Sequence, residues 1–263
     1  MIPYFQVTKL SMGPFSLQAW GTLAAIGFLA GIIVAYQEAK KRGINANQIL
    51  EISPWVILSS LLGARLFYII GNISFFLEEP LAMLKVWEGG MAFYGGLFGA
   101  LVALVIFTRK KKIPFWDLVE PIMFVLPLGI FFGRMGCFLI HDHIGKITTV
   151  PWGIEYIDGI VRHEPSLYGS LSGLLLFIIF LVLRRFPWSN RKGFFTTFFM
   201  LWYGVTRFIF DFFRSDDLTI SDSRWFGLTF AQYSCILLFI IGLYLLKHYL
   251  ISFPKEQKYE EKH

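Results

Sequence analysis

Long apolar runs separated by short polar links dominate this 263-residue sequence. Each run holds little or no charge over about 17 to 22 residues, the length that a helix needs to cross the hydrocarbon core of a bilayer. The pattern therefore predicts an all-α, polytopic membrane protein, a bundle of about seven transmembrane helices. The runs fall at 15–36, 49–70, 91–108, 114–132, 167–183, 194–213 and 226–246.

Positive charge is distributed unevenly between alternate links. The links after the first, third and fifth runs, together with the C-terminal tail, hold 15 of the 24 lysines and arginines. Links rich in positive charge stay on the cytoplasmic side of a membrane, so we expect the N-terminus outside and the C-terminus in the cytoplasm. The longest outer link, 133–166, is expected to cover the bundle as a cap, and the tail 255–263 to be disordered. We predict one integral membrane domain over 1–263.

Composition supports the membrane assignment and excludes an ordinary soluble domain. Hydrophobic residues make up 56% of the chain and charged residues 16%, and the mean hydropathy is +0.59. The net charge of +6 follows from the positive links, so no nucleic-acid partner is implied. The two cysteines, Cys137 and Cys235, form no disulfide framework, and Cys235 lies in the last apolar run as a packing residue.

Chemically active residues concentrate in the stretch 133–145, directly after the fourth apolar run. It holds Arg134, Cys137, His141, Asp142 and His143 among three glycines. A charge at membrane depth costs several kcal/mol unless it is compensated, and glycine lets the backbone approach a ligand closely. We interpret this stretch as the rim of an active site.

Three further polar positions stand out within or beside the apolar runs. The segment 86–99 has two Gly-Gly pairs with Glu88 before and Tyr94 between them, which indicates a helix start where lipid or backbone comes close. Arg65, near the outer end of the second run, either reaches the headgroups or binds an anionic ligand. Glu120, in the fourth run, lies either near the cytoplasmic surface or paired inside the bundle.

Arg207, Asp211 and Arg214 close the sixth run. Their spacing of four and three residues places them on one face of a helix. Two interpretations remain open. Either the group is an intramembrane ion pair that neutralises itself, or Arg207 and Arg214 bind phosphate while Asp211 holds one of them in place.

Four segments in this order resemble the signatures of the prolipoprotein diacylglyceryl transferase family: 87–97, 133–138 with Gly145, 162–168 and 207–214. The resemblance extends over about 15–246. It implies a multi-pass enzyme of the bacterial inner membrane with a periplasmic N-terminus, a periplasmic cap and a cytoplasmic C-terminus. Such an enzyme moves the diacylglyceryl group of phosphatidylglycerol onto the thiol of the lipobox cysteine of a preprolipoprotein signal peptide and releases glycerol phosphate. No cofactor and no metal are expected.

The resemblance also implies roles for individual residues. Arg134 matches the arginine that binds phosphatidylglycerol, Arg207 matches a second essential arginine, and Tyr94 takes the place of a histidine or tyrosine. The remaining implied substrate-binding residues are Arg65, Glu88, Gly95, Gly96, Gly145, Asp211 and Arg214.

Several positions depart from the family pattern. Cys137 and Ile140 stand where asparagines are usual, Asp142 where glutamate is usual, and Trp20 where tyrosine is common. The chain is therefore identified as a divergent member. Since the first asparagine is replaced, a non-catalytic lipid-binding or transport protein of the same fold is the alternative.

The implied reaction is a displacement at carbon in which a thiolate attacks and a phosphate monoester leaves. Forked arginines such as Arg134 and Arg207 can stabilise the leaving phosphate. Tyrosine is a poor base because it ordinarily titrates near pH 10, so His141 or His143 suits the role of general base better than Tyr94. Cys137, His141 and His143 also resemble three metal ligands, but no second cluster follows nearby and a metal site is not favoured.

Overall fold

The computed structural model describes residues 1–12, 15–85, 90–218 and 224–251. Within these residues the chain is mostly helical. Between or after its α-helices, the described chain also has 3₁₀ turns at Pro80–Leu84 and Pro187–Asn190 and a π-helical turn at Leu246–Ile251. The helices are α1 (Ala19–Lys41), α2 (Asn47–Gly71), α3 (Ile73–Glu78), α4 (Phe93–Lys111), α5 (Phe115–Ile140), α6 (Pro165–Leu183), α7 (Phe194–Asp211) and α8 (Phe230–Leu245).

Short strands connect the helix ends. β1 (Ile2–Pro3) pairs in parallel with β4 (Ile154–Glu155), and β4 pairs antiparallel with β5 (Val161–Arg162). The strands β2 (Lys9–Met12) and β3 (Phe15–Gln18) form an antiparallel pair just before α1. A third antiparallel pair, β6 (Arg224–Trp225) and β7 (Leu228–Thr229), precedes α8.

Six helices in the described residues are long and apolar enough to cross a membrane: α1, α2, α4, α5, α6 and the helical stretch that begins with α8. The prediction of a polytopic helical membrane protein is therefore confirmed. The predicted count of seven spans is not confirmed. The sixth predicted run forms α7, an 18-residue helix with Arg207 and Asp211, and α7 is not among the six candidate spans.

Three sequence-based boundaries differ from the structure. The first run does not begin as a helix, since residues 15–18 form β3. The predicted outer link 133–166 begins later, because residues 133–140 belong to the last two turns of α5. Arg214 does not share a helical face with Arg207, because α7 ends at Asp211 and the following residues leave the helix.

The chain divides into two compact units, and α1 and α5 contribute residues to both. One unit comprises residues 1–34 and the described residues from 120 onward, and the other comprises 35–119. The single membrane domain over 1–263 stays a prediction, as does the disordered tail 255–263, which lies outside the described residues.

Close packing of α2 against α4 builds the smaller unit. A Cβ atom on Gly63 would overlap the carbonyl of Gly95, and a Cβ atom on Gly95 or Gly99 would overlap the backbone of α2. Small residues that let helix backbones approach closely are the usual basis of helix association in membranes. The glycines of the 86–99 segment that fall in α4 therefore serve helix contact.

The larger unit contains α6, α7, α8 and most of α5. Phe124, Phe180 and Phe195 are fully buried there and pack with ring centroids 4.8–6.0 Å apart. Glu120 lies beside this cluster and accepts hydrogen bonds from the main-chain nitrogens of Phe195 (2.9 Å) and Thr196 (3.2 Å) and from the Thr196 hydroxyl. Its carboxylate thus satisfies the first free amides of α7, where negative charge also meets the positive end of the helix dipole. Of the two alternatives for Glu120, pairing inside the bundle is the one observed.

We expect Glu120→Gln to destabilise the protein by about 1.5–3 kcal/mol, because a charge-assisted acceptor is lost and an amide NH₂ faces main-chain donors. Thermal unfolding in detergent measures this as a lowered apparent Tm. Glu51→Gln is the matched control, since Glu51 pairs with Lys111 on the surface, where both side chains are about half exposed and an ion pair contributes little. Equal Tm shifts in the two variants would contradict the capping role of Glu120.

Candidate active site

A pocket in the larger unit lies between α5, α6 and α7. Its walls include Arg134 and Arg207, the two arginines that the sequence predicts to stabilise the leaving phosphate, beside aromatic and small residues. The lining residues are Pro127, Ile130, Arg134, Gly169, Ser172, Gly173, Leu176, Phe199, Trp202, Tyr203, Thr206, Arg207 and Phe210. Arg134 and Arg207, 73 positions apart in the sequence, are thus brought to one cavity.

Arg134 reaches the pocket from the end of α5. Its side chain lies over Gly169 of α6, where an added Cβ atom would be 3.4 Å from the Arg134 Cγ atom and 3.5 Å from Cδ. Among the described residues, no hydrogen bond or ion pair engages the Arg134 guanidinium. A cation held at the edge of a membrane span without a carboxylate partner marks a position for an anionic ligand.

Arg207 reaches the same pocket from α7 and is held by Asp211. Its terminal nitrogen lies 2.8 Å from Asp211 Oδ1, a contact with the distance of an ion pair but without the angle of a hydrogen bond. The Asp211 side chain is fully buried, whereas the Arg207 side chain is 14% exposed. The contact predicted from the four-residue spacing is therefore present, and it leaves part of the guanidinium turned to the cavity.

Asp211 is fixed in turn by the start of α8. The Thr229 hydroxyl donates to Asp211 Oδ2, and the same hydroxyl accepts from the Gln232 amide nitrogen at 3.2 Å in a capping box. Gln232 also donates from its side chain to the Phe208 carbonyl oxygen at 3.2 Å. Threonine at an N-cap with glutamine three residues later is the sequence signature of this arrangement. The α8 cap therefore sets the position of Arg207 through Asp211.

Arg65 lies in the smaller unit, where it is 8% exposed and bound by main-chain oxygens. It donates to the carbonyls of Met83 (3.0 Å), Gly90 (3.0 Å) and Ala82, and its guanidinium carbon lies 5.4 Å from the Phe76 ring centre. Every guanidinium nitrogen thus holds the segment after α3. This geometry favours a structural role for Arg65 and gives the predicted anion-binding role no support.

The remaining predicted residues of the smaller unit lie at the start of α4. Tyr94 is in the first turn of α4, with its ring 5.5 Å from that of Phe93. Gly95 and Gly96 face α2, where their lack of a side chain permits the close helix contact. Glu88 lies outside the described residues.

His141 lies just after α5 in a buried polar cluster. Its Nδ1 atom lies 2.8 Å from Glu164 Oε2 and its Nε2 atom lies 2.6 Å from the Phe5 carbonyl oxygen, while the Tyr156 hydroxyl donates to Glu164 at 3.1 Å. The Tyr4 ring stacks on the imidazole at 5.0 Å. With both ring nitrogens bound and a side chain 1% exposed, His141 fastens the N-terminal segment to the end of α5. This arrangement gives no support to a role as general base.

The Glu164 carboxylate shifts the pKa values of the two titratable side chains beside it, His141 and Tyr156. Burial of the ring disfavours the imidazolium, but the hydrogen bond and the negative charge of Glu164 outweigh it and raise the pKa of His141 above its ordinary value. Burial and the same carboxylate raise the pKa of Tyr156. Folding therefore shifts the proton equilibrium of His141 toward the imidazolium.

Stability should depend on pH through His141. A group whose pKa is raised by folding stabilises the protein fully below its unfolded pKa of about 6.5, and that stabilisation is lost as pH rises through the folded value. We expect the apparent Tm in detergent to fall as pH rises above about 6.5, and to fall more in the wild type than in Glu164→Gln. Parallel Tm profiles for the two proteins would contradict this linkage.

His143 differs from His141 in being open to its surroundings. Its side chain is 26% exposed, and its Nδ1 atom bonds the Asp142 carboxylate. No hydrogen bond from the described residues reaches its Nε2 atom. Of the two histidines proposed as base, His143 is the one with a ring nitrogen open to a substrate.

Gly145 and Arg214 meet where the segment after α5 contacts the end of α7. Their backbones form an antiparallel bridge, and Gly145 also donates to the His163 carbonyl oxygen at 3.1 Å. A Cβ atom on Gly145 would overlap that carbonyl. Arg162, 4% exposed, donates to the Gly145 carbonyl at 3.2 Å and binds Asp217 through both terminal nitrogens at 3.0 and 2.7 Å. Gly145 thus permits a tight junction between three backbone segments.

Sequence reasoning missed two groups of residues. The neutral pocket walls, such as Ser172 and Trp202, whose indole donates to the Ser172 hydroxyl at 3.0 Å, carry no motif. Glu164 and Asp217 pair with residues 23 and 55 positions away, so local spacing holds no signal for them.

The fold and the pocket define a class, a multi-pass helical membrane protein with two arginines from different helices in one cavity. The sequence model of the prolipoprotein diacylglyceryl transferase family matches residues 7–248, and the chain belongs to this family. Relatives named phosphatidylglycerol–prolipoprotein diacylglyceryl transferase include a protein of Nitratidesulfovibrio vulgaris, 32% identical over 93% of this chain and 95% of the relative. A relative from Ehrlichia canis is 34% identical over 90% and 93%, and one from Geobacter sulfurreducens is 35% identical over 82% and 84%.

Proposed function

We propose that this protein transfers the diacylglyceryl group of phosphatidylglycerol to the thiol of the lipobox cysteine in preprolipoprotein signal peptides. The single observation that carries the proposal is the Arg134 guanidinium, which lines a pocket together with Arg207 and is engaged by no carboxylate among the described residues. Phosphatidylglycerol is an anionic lipid, and a forked, permanently charged guanidinium matches its phosphate.

The reaction forms a carbon–sulfur bond and breaks the bond between a glycerol carbon and a phosphate oxygen. The electron pair stays on that oxygen, so the departing glycerol phosphate gains negative charge. Arg134 and Arg207 stabilise this charge from two helices, and Asp211 holds Arg207 in place. In enzymes that stabilise developing negative charge with hydrogen-bond donors, removal of one donor costs about 3–4 kcal/mol of transition-state stabilisation.

The attacking cysteine must lose its proton, since the thiolate is the nucleophile. His143 takes this proton in our proposal, because its Nε2 atom is open and Asp142 orients the ring from the other side. An Asp–His pair of this kind fixes the ring for proton transfer.

The substrates place the site at the outer side of the bacterial inner membrane. Signal peptides arrive there in the bilayer, and the pocket-lining helices α6 and α7 also carry exposed apolar side chains such as Leu175 and Val205. In this proposal α7 crosses the membrane in addition to the six candidate spans, so the N-terminus is periplasmic, the C-terminus is cytoplasmic, and the segment that follows α5 forms a periplasmic cap. The positive links support this orientation.

The test uses purified protein in detergent with phosphatidylglycerol and a lipobox peptide. We expect a mass gain of one diacylglyceryl group on the peptide thiol and release of an equal amount of glycerol phosphate. A peptide with serine in place of the lipobox cysteine is the control and should gain no mass. Binding of phosphatidylglycerol without transfer would favour the non-catalytic lipid-binding protein.

A further inference from the structure

Several chemically different side chains surround the Cys137 thiol of the larger unit. The Cys137 thiol, at the end of α5, faces the Asp142 carboxylate, the Trp20 indole and the Arg134 guanidinium. Trp20 also packs on Gly136, where an added Cβ atom would be 3.0 Å from its ring. A thiol, a carboxylate, an indole and a guanidinium thus form one cluster.

A sharp backbone reversal brings the next two side chains back to the thiol. His141 adopts φ +51°, in the left-handed region that ends helices, and its amide donates to the Phe138 carbonyl at 3.3 Å. Its ring is locked by Glu164 and Phe5. Because the turn is held in this way, Asp142 and His143 fold back over the last turn of α5.

The reversal assembles three metal-ligand atoms. The Cys137 sulfur, a carboxylate oxygen of Asp142 and a ring nitrogen of His143 all lie within 4.8 Å of one another. Tetrahedral zinc with one sulfur, one oxygen and one nitrogen ligand holds these atoms about 3.4–3.6 Å apart. Asp142 and His143 are 34% and 26% exposed at the side chain, so small rotations supply the difference.

We propose that Cys137, Asp142 and His143 form a binding site for a zinc-class divalent cation, with water or a substrate group as the fourth ligand. Thiolate, carboxylate and imidazole are the donors that zinc takes in proteins. His141, the third ligand considered from the sequence, is excluded because both of its ring nitrogens are already bound.

Charge and proton balance are consistent with this site. A sulfur–metal bond forms as the Cys137 thiol releases its proton to solvent. The cation also takes the place of the proton between Asp142 and His143, and that proton moves to the other ring nitrogen of the neutral imidazole. One thiolate and one carboxylate neutralise the divalent ion, so Arg134 faces a cluster without net charge. Since the ion occupies the imidazole that the proposed function uses as base, bound metal should suppress transfer, a consequence that rests on the proposed function.

Cobalt is the probe that separates this site from adventitious binding, because a cobalt–thiolate bond gives a near-ultraviolet charge-transfer band. The full chain, without a histidine tag, is stripped with chelator in detergent, kept reduced and titrated with Co²⁺ and then Zn²⁺. We expect the band to appear, to saturate at one ion per chain and to disappear when Zn²⁺ displaces Co²⁺.

Matched variants make the assignment specific. Cys137→Asn removes the thiolate ligand and should abolish the band, and His143→Gln, at a side chain 26% exposed, should weaken binding by about tenfold or more. Cys235→Ser removes the other buried thiol, in α8, and should bind as the wild type does. Absence of the band from folded wild-type protein, or its loss in Cys235→Ser with retention in Cys137→Asn, would overturn the proposal. None of these readouts depends on transfer activity.

Discussion

Replacement of Arg134 by alanine is expected to lower the rate of diacylglyceryl transfer by about 10²–10³-fold, which corresponds to about 3–4 kcal/mol of lost transition-state stabilisation. The reason is that no carboxylate of the described chain engages this guanidinium, so its charge is available to the phosphate. Arg134→Lys keeps the charge but not the planar fork and should retain only part of the activity. Release of glycerol phosphate and peptide mass, measured with substrate varied, give both kcat and kcat/KM.

The control for Arg134 is Arg185→Ala. Arg185 follows α6 and is exposed outside the pocket, so its loss removes a positive charge without touching the cavity. Arg185→Ala should transfer at the wild-type rate. If Arg134→Ala retained wild-type kcat/KM while Arg185→Ala did not, the pocket would not be the phosphate site.

Much of the fold follows from features that are local in the sequence. The predicted apolar runs form helices because a backbone in lipid must satisfy its own hydrogen bonds. The first helix starts later than predicted because residues 15–18 pair as a strand. The Arg207 and Asp211 contact follows from helical spacing alone. Helix formation and contacts four residues apart depend only on neighbouring residues, so the sequence alone is enough to predict them.

What sequence could not supply is the set of contacts between distant segments. The His141 imidazole is bound by a carbonyl 136 residues away, and Glu120 caps a helix 75 residues further on. Glycines illustrate the same limit. A Gly-Gly pair permits approach of either a lipid or a helix, and only the fold shows that Gly95 faces α2. The role of a residue therefore depended on which partner the topology brought to it.

Asp211→Ala is expected to produce the largest loss of stability, about 3–5 kcal/mol, because removal of one partner leaves a largely buried cation uncompensated. The Asp211 carboxylate is fully buried between Arg207 and the Thr229 hydroxyl. The variant should therefore unfold at a markedly lower temperature in detergent, with the start of α8 loosened from α7.

Asp211→Asn separates the charge of Asp211 from its shape. The amide oxygen can still accept from Thr229, so α8 stays attached, but Arg207 loses its counter-charge. We expect a folded protein with reduced kcat, because a guanidinium no longer held by Asp211 is less well placed for the phosphate.

A double-mutant cycle with Arg207→Gln tests whether the two side chains act as a pair. The double variant Arg207→Gln with Asp211→Asn removes both charges together. It should be more stable than the sum of the single effects predicts, because each single variant leaves one charge unpaired and the double variant leaves none. Additive losses would mean that Asp211 acts through Thr229 only. In that case the self-neutralising ion pair and the phosphate-binding interpretation would both lose their basis, because each requires Asp211 to control the charge on Arg207.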